Sequence, residues 1–433
     1  MSALTSSRRG FLKSSAIAAG TAAFGAAAPS TVLGANDRVA FGCIGTGGMG
    51  TGHLRSLVGR SEDDNIRVVS VCDVYKRRVS RSEGICKEGG YDAKGTMDYR
   101  EVLDNSDVDA VLIATPDHWH SKIAIEAMDA GKHVYVEKPM TLTVEQAIEV
   151  RNAQKKYGKV LQVGPNFTAE DQWWQAHDLI KEGRVGKVTW AQASYNRNPK
   201  AGGAFGSLGR VQEEAGPNST GEGYIDWDMW LGHKFGLAPR RPWNPEHFFK
   251  FRRYFAYNGG VATDLLYHRL APMLIALGGP GGAYPKRVSA NGGLYIKKDG
   301  REVPDVFMMS VDYPGEFTIF LESVLTNNTQ IPMRIYGQYG TIEFTGSPTM
   351  TSNGDFKQEF RNVNDGYDEV TVHTENSRDL EGNFIDAIRE GARLHCNVDL
   401  GCTTMIAIKM AVESYRQNKV MLWDAEKEAV VTG

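Results

Sequence analysis

The sequence predicts an α/β protein of two domains, the first with a doubly wound parallel sheet and the second with a large, mainly antiparallel open sheet. Between residues 36 and 164, short apolar runs without alternation separate helical segments, which is typical of parallel strands buried on both faces. Between residues 287 and 372 apolar and polar residues alternate, which indicates antiparallel strands with one solvated face. A length of 433 residues also favours two domains, which we place at residues 36–164 and 165–433.

The first 35 residues have the pattern of an export signal. The segment SRRGFLK contains the twin arginines Arg8 and Arg9, and a weakly apolar, Ala- and Gly-rich stretch follows up to Ala28. We interpret residues 1–35 as a twin-arginine (Tat) signal read by the Tat export machinery, so we expect a periplasmic or exported protein. The alternative is a chance arginine pair before an alanine-rich helix. No later stretch reaches about 18 consecutive apolar residues, so we expect no membrane anchor in the mature form.

Composition and cysteine spacing exclude other classes of site. The net charge of −3 lacks the basic footprint that binds nucleic acid, so we expect no nucleic-acid partner. The five cysteines have no CxxC spacing, and Cys43 and Cys72 lie in apolar segments where a thiol packs as a small hydrophobe; we predict no essential disulfide. His118 and His120 come nearest to a metal-ligand set, but no zinc spacing occurs, and we predict no metal.

A glycine-rich motif follows the first predicted strand. It has a strand before it, a helix after it and a second strand at residues 66–72 that ends at Asp73, 23 residues beyond the motif. This context predicts a Rossmann domain that binds NAD, with Asp73 on the ribose hydroxyls, although Lys76, Arg77 and Arg78 leave NADP open. The alternative is a glycine-rich turn with a capping Asp. The motif residues predicted to contact the cofactor are Gly45, Thr46, Gly47, Gly48, Met49 and Gly50.

Polar residues also follow three later strands of this domain. Thr115 ends one strand, Glu137 and Lys138 end the next, and Asn166 follows the last. Carboxyl ends of parallel strands share one edge of the sheet, where ligands bind, so we predict that these four residues contact the cofactor. A lysine at that edge is able to hold a substrate hydroxyl and stabilise an oxyanion, and we predict Lys138 to be catalytic. The alternative is a surface lysine after a strand.

A second catalytic group is predicted on a helix at residues 259–277. Asp264 and His268 are four residues apart and therefore share one face of that helix. Histidine is the natural general base near neutral pH, so we predict both residues to be catalytic and to contact the substrate. An ordinary helix pair and a metal site are the alternatives.

A long segment rich in glycine and aromatic residues spans residues 198–257. Loops of this length are usually functional or disordered, and its many tryptophans argue against disorder. Aromatic rings interleaved with Asp and Arg suit a sugar or polyol, so we predict Trp227 and Arg252 to bind the substrate. A packed aromatic cover or a subunit contact is an equal alternative.

These motifs together resemble the glucose-fructose oxidoreductase/inositol dehydrogenase (Gfo/Idh/MocA) family. The resemblance rests on GTGGMG, on EKP at residues 137–139, on GGVATDLLYH at residues 259–268 and on the strand order. It implies that Lys138 lies at the reacting carbon, that His268 is the acid/base, and that Asp264 binds substrate or orients His268. It also implies that the open sheet face forms homodimers or homotetramers.

Two further segments, TPDHWH and DWDMWLG, resemble an exported branch of that family that includes NAD-dependent glycosidases. That resemblance places cofactor contacts on Met49, Gly50, Asp73, His120 and Asn166. Those glycosidases usually depart from EKP at the lysine, which this chain keeps. We therefore expect an exported NAD(P)-dependent oxidoreductase that acts on a CH–OH group of a sugar, sugar derivative or polyol with a tightly bound nicotinamide. A glycoside hydrolase that uses transient redox and elimination is the first alternative, and a non-catalytic sugar-binding protein is the second.

Overall fold

The computed structural model describes residues 38–199, 205 and 211–433; the predicted export signal lies outside them. The first domain is built on a six-stranded, wholly parallel sheet with the order β3-β2-β1-β4-β5-β6, which confirms the predicted parallel sheet. Its strands are β1 (Val39–Ile44), β2 (Ile66–Cys72), β3 (Lys94–Thr96), β4 (Ala110–Ile113), β5 (His133–Glu137) and β6 (Leu161–Gly164).

Helices connect successive strands of this sheet, as right-handed crossovers between parallel strands require. They are α1 (Gly48–Gly59), α2 (Lys76–Glu88), α3 (Tyr99–Leu103), α4 (Asp117–Asp129) and α5 (Val144–Tyr157). Helix α4 begins within the TPDHWH segment. The extended backbone of Pro116 suits an N-cap, so the helix starts directly after it. The TPDHWH segment is therefore the buried first turn of a helix and not a loop.

The second domain carries a ten-stranded sheet with the order β14-β13-β12-β11-β7-β10-β9-β8-β15-β16. Every adjacent pair is antiparallel except β7 and β10, which run parallel, so the mainly antiparallel sheet is confirmed. Three strands, β13, β15 and β16, were not predicted; β15 and β16 lie beyond residues 287–372, where alternation indicated strands. The ten strands are β7 (Val188–Ser194), β8 (Arg287–Gly293), β9 (Val306–Tyr313), β10 (Phe317–Val324), β11 (Arg334–Gly337), β12 (Gly340–Glu343), β13 (Thr349–Ser352), β14 (Glu369–Thr371), β15 (Met421–Asp424) and β16 (Ala429–Thr432).

One face of this sheet is covered by helices that also reach the first domain. The last helix is apolar almost all round and packs against α5 on one side and against β8 on another, so one apolar core continues through both sheets. All five cysteines are buried and unpaired. The remaining helices are α6 (Gln172–Lys181), α7 (Trp227–Leu231), α8 (Pro245–Phe249), α9 (Tyr267–Gly278), α10 (Lys357–Val363), α11 (Leu380–Glu390) and α12 (Val398–Gln417).

The long aromatic segment packs against the first domain. Its described part has its own aromatic core, and it forms an isolated antiparallel bridge between Ile225 and Tyr75. Two backbone hydrogen bonds flank the bridge, from Lys76 to Tyr224 at 3.0 Å and from Asp226 to Val74 at 2.9 Å. The segment therefore covers the chain immediately after β2. Among the described residues, no helix is both long enough and apolar enough to cross a membrane.

Candidate active site

A cavity of about 560 Å³ lies where strands β1, β2, β4 and β5 end, with residues of the aromatic segment on its opposite wall. We call the part lined by Gly45, Gly47, Gly48, Met49 and Asp73 the glycine end. We call the part lined by Lys138, Tyr195, Arg197, Arg252, Asp264 and His268 the lysine end. The predicted edge of the sheet is thus the edge at which the cavity forms.

The glycine end is shaped by backbone that only glycine permits. Gly45 has a φ of +85°, and a Cβ atom on Gly50 would lie 1.9 Å from the carbonyl oxygen of Gly45. Gly47 is the N-cap of α1 and offers no side chain to its first N–H groups. Those donors and the helix dipole form a site for a phosphate group. Thr46 and Gly50 do not line the cavity; they shape the loop from behind.

Asp73 lies at the glycine end with its carboxylate buried. One oxygen accepts a hydrogen bond from the backbone N–H of Tyr75 at 3.0 Å. The other lies 3.5 Å from a terminal nitrogen of Arg78, which also lines the cavity. A carboxylate at this position accepts ribose hydroxyls and repels a 2′-phosphate, and Arg78 partly offsets its charge.

Thr115 and His120 connect the ends of neighbouring strands. Thr115 lines the cavity, and within the described residues its buried hydroxyl oxygen has no hydrogen-bond partner. His120 was predicted to contact the cofactor, but the structure places it behind the cavity wall. Its ring nitrogens lie 2.8 Å from the carbonyl oxygen of Thr115 and 2.7 Å from that of Pro139. It is a positioning residue, because both nitrogens already face backbone.

Glu137 is buried beneath the lysine end and is held by a histidine. Nε2 of His53 lies 2.8 Å from a carboxylate oxygen of Glu137, and Nδ1 of His53 faces Glu381. Burial opposes a charge on His53, but the two carboxylates outweigh it and raise the pKa of His53 to about 10. Burial likewise opposes ionisation of Glu137, yet His53 holds the pKa of that carboxyl below its usual range.

Lys138 forms an ion pair across the two domains. Its Nζ lies 2.7 Å from Oδ1 of Asp264 and 3.2 Å from the backbone carbonyl oxygen of Asp264. Nε of Arg252 lies 3.3 Å from the same carboxylate oxygen. Burial alone would raise the pKa of Asp264, but the two cations hold it well below its usual range. Asp264 is therefore ionised and fixes Lys138 at the cavity wall.

His268 is buried beside this pair. In the part of the chain that the structure describes, its Nδ1 has no hydrogen-bond partner, and its ring lies edge-on to Phe167 and Tyr195, with centroids 6.0 and 6.1 Å away. Burial, with the charge of Lys138, lowers the pKa of His268 to about 3, so the imidazole is neutral and able to accept a proton. The chain before His268 forms a π-helical turn (Ala262–Leu266), an irregularity often found at functional sites.

The start of this π-helical turn is anchored by Asp117 of the TPDHWH segment. Asp117 accepts a 2.7 Å hydrogen bond from the side-chain amide of Asn258, whose oxygen accepts a 2.7 Å bond from the N–H of Gly260. Asp117 is buried, and burial together with the negative charge of Asp264 raises its pKa to about 7. The residue that sequence reasoning placed at a strand end thus positions the chain that leads to Asp264.

The aromatic segment reaches the cavity with different residues from those predicted. Arg252 lines the cavity, but Trp227 does not. The Trp227 ring stacks on Trp230 with centroids 4.8 Å apart, and its N–H donates to the carbonyl oxygen of Arg241 at 3.0 Å. Trp227 is therefore part of the segment's own core, because its ring faces other aromatic side chains and not the cavity. Met229 and Trp230 line the cavity in its place.

Tyr195 and Arg197 also line the lysine end and were not predicted. Both follow β7, at the carboxyl end of a strand, which is the signal that identified Lys138. The neighbours of β7 in the second sheet could not be read from the sequence, so its end could not be placed near the first domain. Within the described residues, no group of three or more His, Cys, Asp or Glu side chains is arranged to hold a metal ion.

Residues 39–165 match a family model described as the oxidoreductase family with an NAD-binding Rossmann fold. This part of the chain is a Gfo/Idh/MocA domain. The family assignment agrees with the N–H donors at the start of α1 and with the buried Asp73, so the cofactor of this domain is NAD. The predicted resemblance to the Gfo/Idh/MocA family is confirmed.

Curated relatives match part of the chain. A "Glycosyl hydrolase family 109 protein 2" of Shewanella sp. (strain ANA-3) is 30% identical over 210 residues, which is 43% of this chain and 45% of the relative. An "Alpha-N-acetylgalactosaminidase" of Shewanella oneidensis is 28% identical over 162 residues, 36% of this chain and 35% of the relative. The matches thus span less than half the length of these relatives.

The fold as a whole is shared with solved structures. The WlbA dehydrogenase from Bordetella pertussis, solved in complex with NADH and UDP-GlcNAcA, superposes with a TM-score of 0.62 over 89% of this chain and 99% of that chain. The sequence identity is 17%, so this likeness shows the fold alone. It extends the agreement from the NAD-binding domain to the ten-stranded sheet.

Proposed function

We propose that this protein is an NAD-dependent oxidoreductase that transfers hydride from a CH–OH group of a sugar, sugar derivative or polyol. The observation that carries the proposal is the group formed by Lys138, Asp264 and His268 at the lysine end. A buried, neutral imidazole with a free nitrogen stands beside a lysine that is held by an ionised carboxylate. A base and a cation beside an NAD site are the groups that alcohol oxidation requires.

Each residue of the group has one task. NAD, when bound, supplies the hydride acceptor. Nζ of Lys138 donates a hydrogen bond to the reacting hydroxyl and stabilises the alkoxide as the proton leaves. The imidazole of His268 accepts that proton, because it is neutral at physiological pH. Asp264 keeps Lys138 directed at the cavity, and the buried surroundings strengthen their ion pair.

The first experiment tests the cofactor and the reaction together. Protein is purified without added nucleotide. One sample is denatured and its released nucleotide is identified by mass. A second, folded sample is screened with a panel of sugars and polyols for reduction of the bound NAD. We expect close to one NAD per chain and reduction by at least one sugar or polyol. A protein that holds NAD but is reduced by no member of the panel counts against the oxidoreductase.

An NAD-dependent glycosidase is the second candidate, and the glycosyl hydrolase relatives favour it. In such an enzyme the same base and lysine would act on a sugar that is oxidised, loses its aglycone and is reduced again. The expected signature is release of an aglycone without net formation of NADH. A panel of chromogenic α- and β-glycosides, with and without NAD, distinguishes the two functions; no release from any glycoside leaves the oxidoreductase.

We also propose that the protein is exported and forms homo-oligomers. The SRRGFLK segment supports export through the Tat machinery, and fractionation of cells into periplasm and cytoplasm tests it. The ten-stranded sheet supports assembly, because Trp190 is 40% exposed and stacks on Tyr336 at 3.9 Å on its surface. Light scattering of the wild type and of Trp190→Glu tests assembly; a monomeric wild type contradicts it.

A further inference from the structure

The lysine end of the cavity holds more positive than negative charge. Its cations are Lys138, Arg197 and Arg252, and Asp264 is the one carboxylate among the residues that define it. Glu137 also borders the cavity, but it is hydrogen-bonded to the charged His53 behind it. Arg252 is half-buried and Arg197 is exposed. Cations in excess of the carboxylates beside them favour an anion in the space that they line.

Only part of the Arg252 guanidinium is engaged by other residues of the protein. Its Nε lies 3.3 Å from Asp264, and its guanidinium lies 4.5 Å from the ring centre of Phe251. In the described part of the chain, its terminal nitrogens donate no hydrogen bond. An arginine presents five N–H donors in a planar fork, so the unused side of this one is available to a carboxylate or phosphate group.

Arg197 also lines the lysine end. It donates a 2.9 Å hydrogen bond to the hydroxyl of Tyr195 and lies 4.8 Å from the centre of that ring. The ring of Tyr195 is itself 6.1 Å from that of His268. No carboxylate among the described residues forms an ion pair with Arg197. Arg252 is therefore next to Asp264, and Arg197 is linked to His268 by the ring of Tyr195.

We propose that the substrate is an anionic sugar, a uronate or a sugar phosphate, whose charged group is held by Arg252 and Arg197. This inference rests on the proposed oxidation of a sugar at this site and names its substrate class. Arginine suits the task because it binds both oxygens of an oxyanion group and so also fixes the orientation of the sugar. The carboxylate or phosphate is placed by the arginines, and the hydroxyl to be oxidised is left to Lys138 and His268.

The test measures binding and turnover separately on the NAD-loaded protein. Uronates of gluco, galacto and manno configuration, the matching hexoses and the matching hexose 6-phosphates are titrated by calorimetry and assayed for NADH formation. We expect at least one anionic sugar to be preferred over its matching hexose by about 100-fold in dissociation constant, and the uronate and phosphate arms identify which group is recognised. Arg252→Gln and Arg197→Gln should each reduce that preference by about 10-fold or more.

Control variants distinguish the loss of a charge in the cavity from a general loss of stability. Arg287→Gln removes an exposed arginine of the ten-stranded sheet and should leave the preference unchanged. Arg252→Lys should restore part of the preference, because it keeps the charge and loses the fork. Melting temperatures of all variants are compared with that of the wild type.

The outcomes distinguish this inference from the proposed function. Anionic sugars that bind through the two arginines but are never oxidised leave the inference standing and overturn the oxidoreductase. Hexoses that are bound and oxidised as well as their anionic counterparts leave the oxidoreductase standing and overturn the inference. No binding of any anionic sugar, or equal losses for neutral and anionic sugars in both variants, also overturns the inference.

Discussion

The glycine end of the cavity is built from backbone in one short stretch, whereas the lysine end is built from side chains that come from distant parts of the chain. The phosphate donors of residues 45–50 need only a strand, a turn and a helix. The pair of Lys138 and Asp264 joins residues 126 positions apart and exists only when both domains are folded. Cofactor binding should therefore tolerate changes at the lysine end, while catalysis should depend on both.

The largest expected effect is at Lys138. Lys138→Met keeps most of the side-chain volume but removes the cation at the reacting hydroxyl, so we expect kcat to fall roughly 1,000-fold. NAD content after purification should stay near that of the wild type, because the glycine end is untouched. Both are measured by steady-state kinetics and by mass of the released nucleotide.

The matched control is Lys76→Met, which removes an exposed lysine close behind Asp73 at the glycine end. Its activity and NAD content should equal those of the wild type. A Lys138→Met protein that keeps its activity would contradict the catalytic role of Lys138. One that loses NAD together with activity would show that the two ends of the cavity do not act separately.

Asp117 tests how the lysine end is held in place. Its folded-state pKa of about 7 lies above the value of about 3.9 in an unfolded chain. The stability it provides is therefore complete below about pH 4 and is lost as the pH rises through 7. The loss amounts to on the order of 4 kcal/mol in the free energy of unfolding.

Asp117→Asn keeps the acceptor for Asn258 and removes the titration. The unfolding free energy of the variant minus that of the wild type should rise by a few kcal/mol between about pH 4 and pH 7, as measured by urea unfolding. Asp107→Asn, at an exposed position, provides the reference and should show no such trend. If the difference in unfolding free energy between Asp117→Asn and the wild type did not change with pH, Asp117 would be ionised in the folded wild-type protein.

The glycine end gives the next effect, through a pair of glycines in one helix. A Cβ atom at position 50 meets the carbonyl oxygen of Gly45 at 1.9 Å, whereas one at position 52 meets no atom within 4 Å. Gly50→Ala should separate the loop from α1 and weaken NAD binding by about 100-fold, with a loss of roughly 1–3 kcal/mol in stability. Gly52→Ala should bind NAD normally and be stabilised by roughly 1 kcal/mol.

NAD content and thermal unfolding check both variants. Equal NAD content in the two proteins would mean that the loop moves away from the new methyl group without cost. The sugar preference inferred from Arg197 and Arg252 should be the same in any Gly50→Ala protein that is reloaded with NAD, since that preference belongs to the lysine end.

The same contrast explains what could be predicted from sequence. Strand β2 was predicted with its observed bounds, because the β-branched stretch IRVVSVC ends at Asp73. Lys138 and Asp264 were recognised as candidates from local motifs, but their contact depends on the packing of two domains. The contacts of His53 with Glu137 and Glu381 could not be predicted, since His53 is 84 positions from Glu137 and 328 positions from Glu381.

Trp227 and Trp230 give the smallest effect and test where the aromatic segment stops being core and becomes cavity wall. The sequence WDMW could not decide between them, because a five-residue helix presents both rings on nearly the same side. Trp227→Phe removes the hydrogen bond to Arg241 and some packing, so we expect a loss of about 1–2 kcal/mol in stability and unchanged ligand constants. Trp230→Phe should cost similar stability and also raise the dissociation constant of NAD or sugar several-fold, because Trp230 lines the cavity. Calorimetry and urea unfolding on both variants separate the two roles. If Trp227→Phe by itself raised the dissociation constant of NAD or sugar, the cavity wall would depend on the stacked pair and not on Trp230 alone.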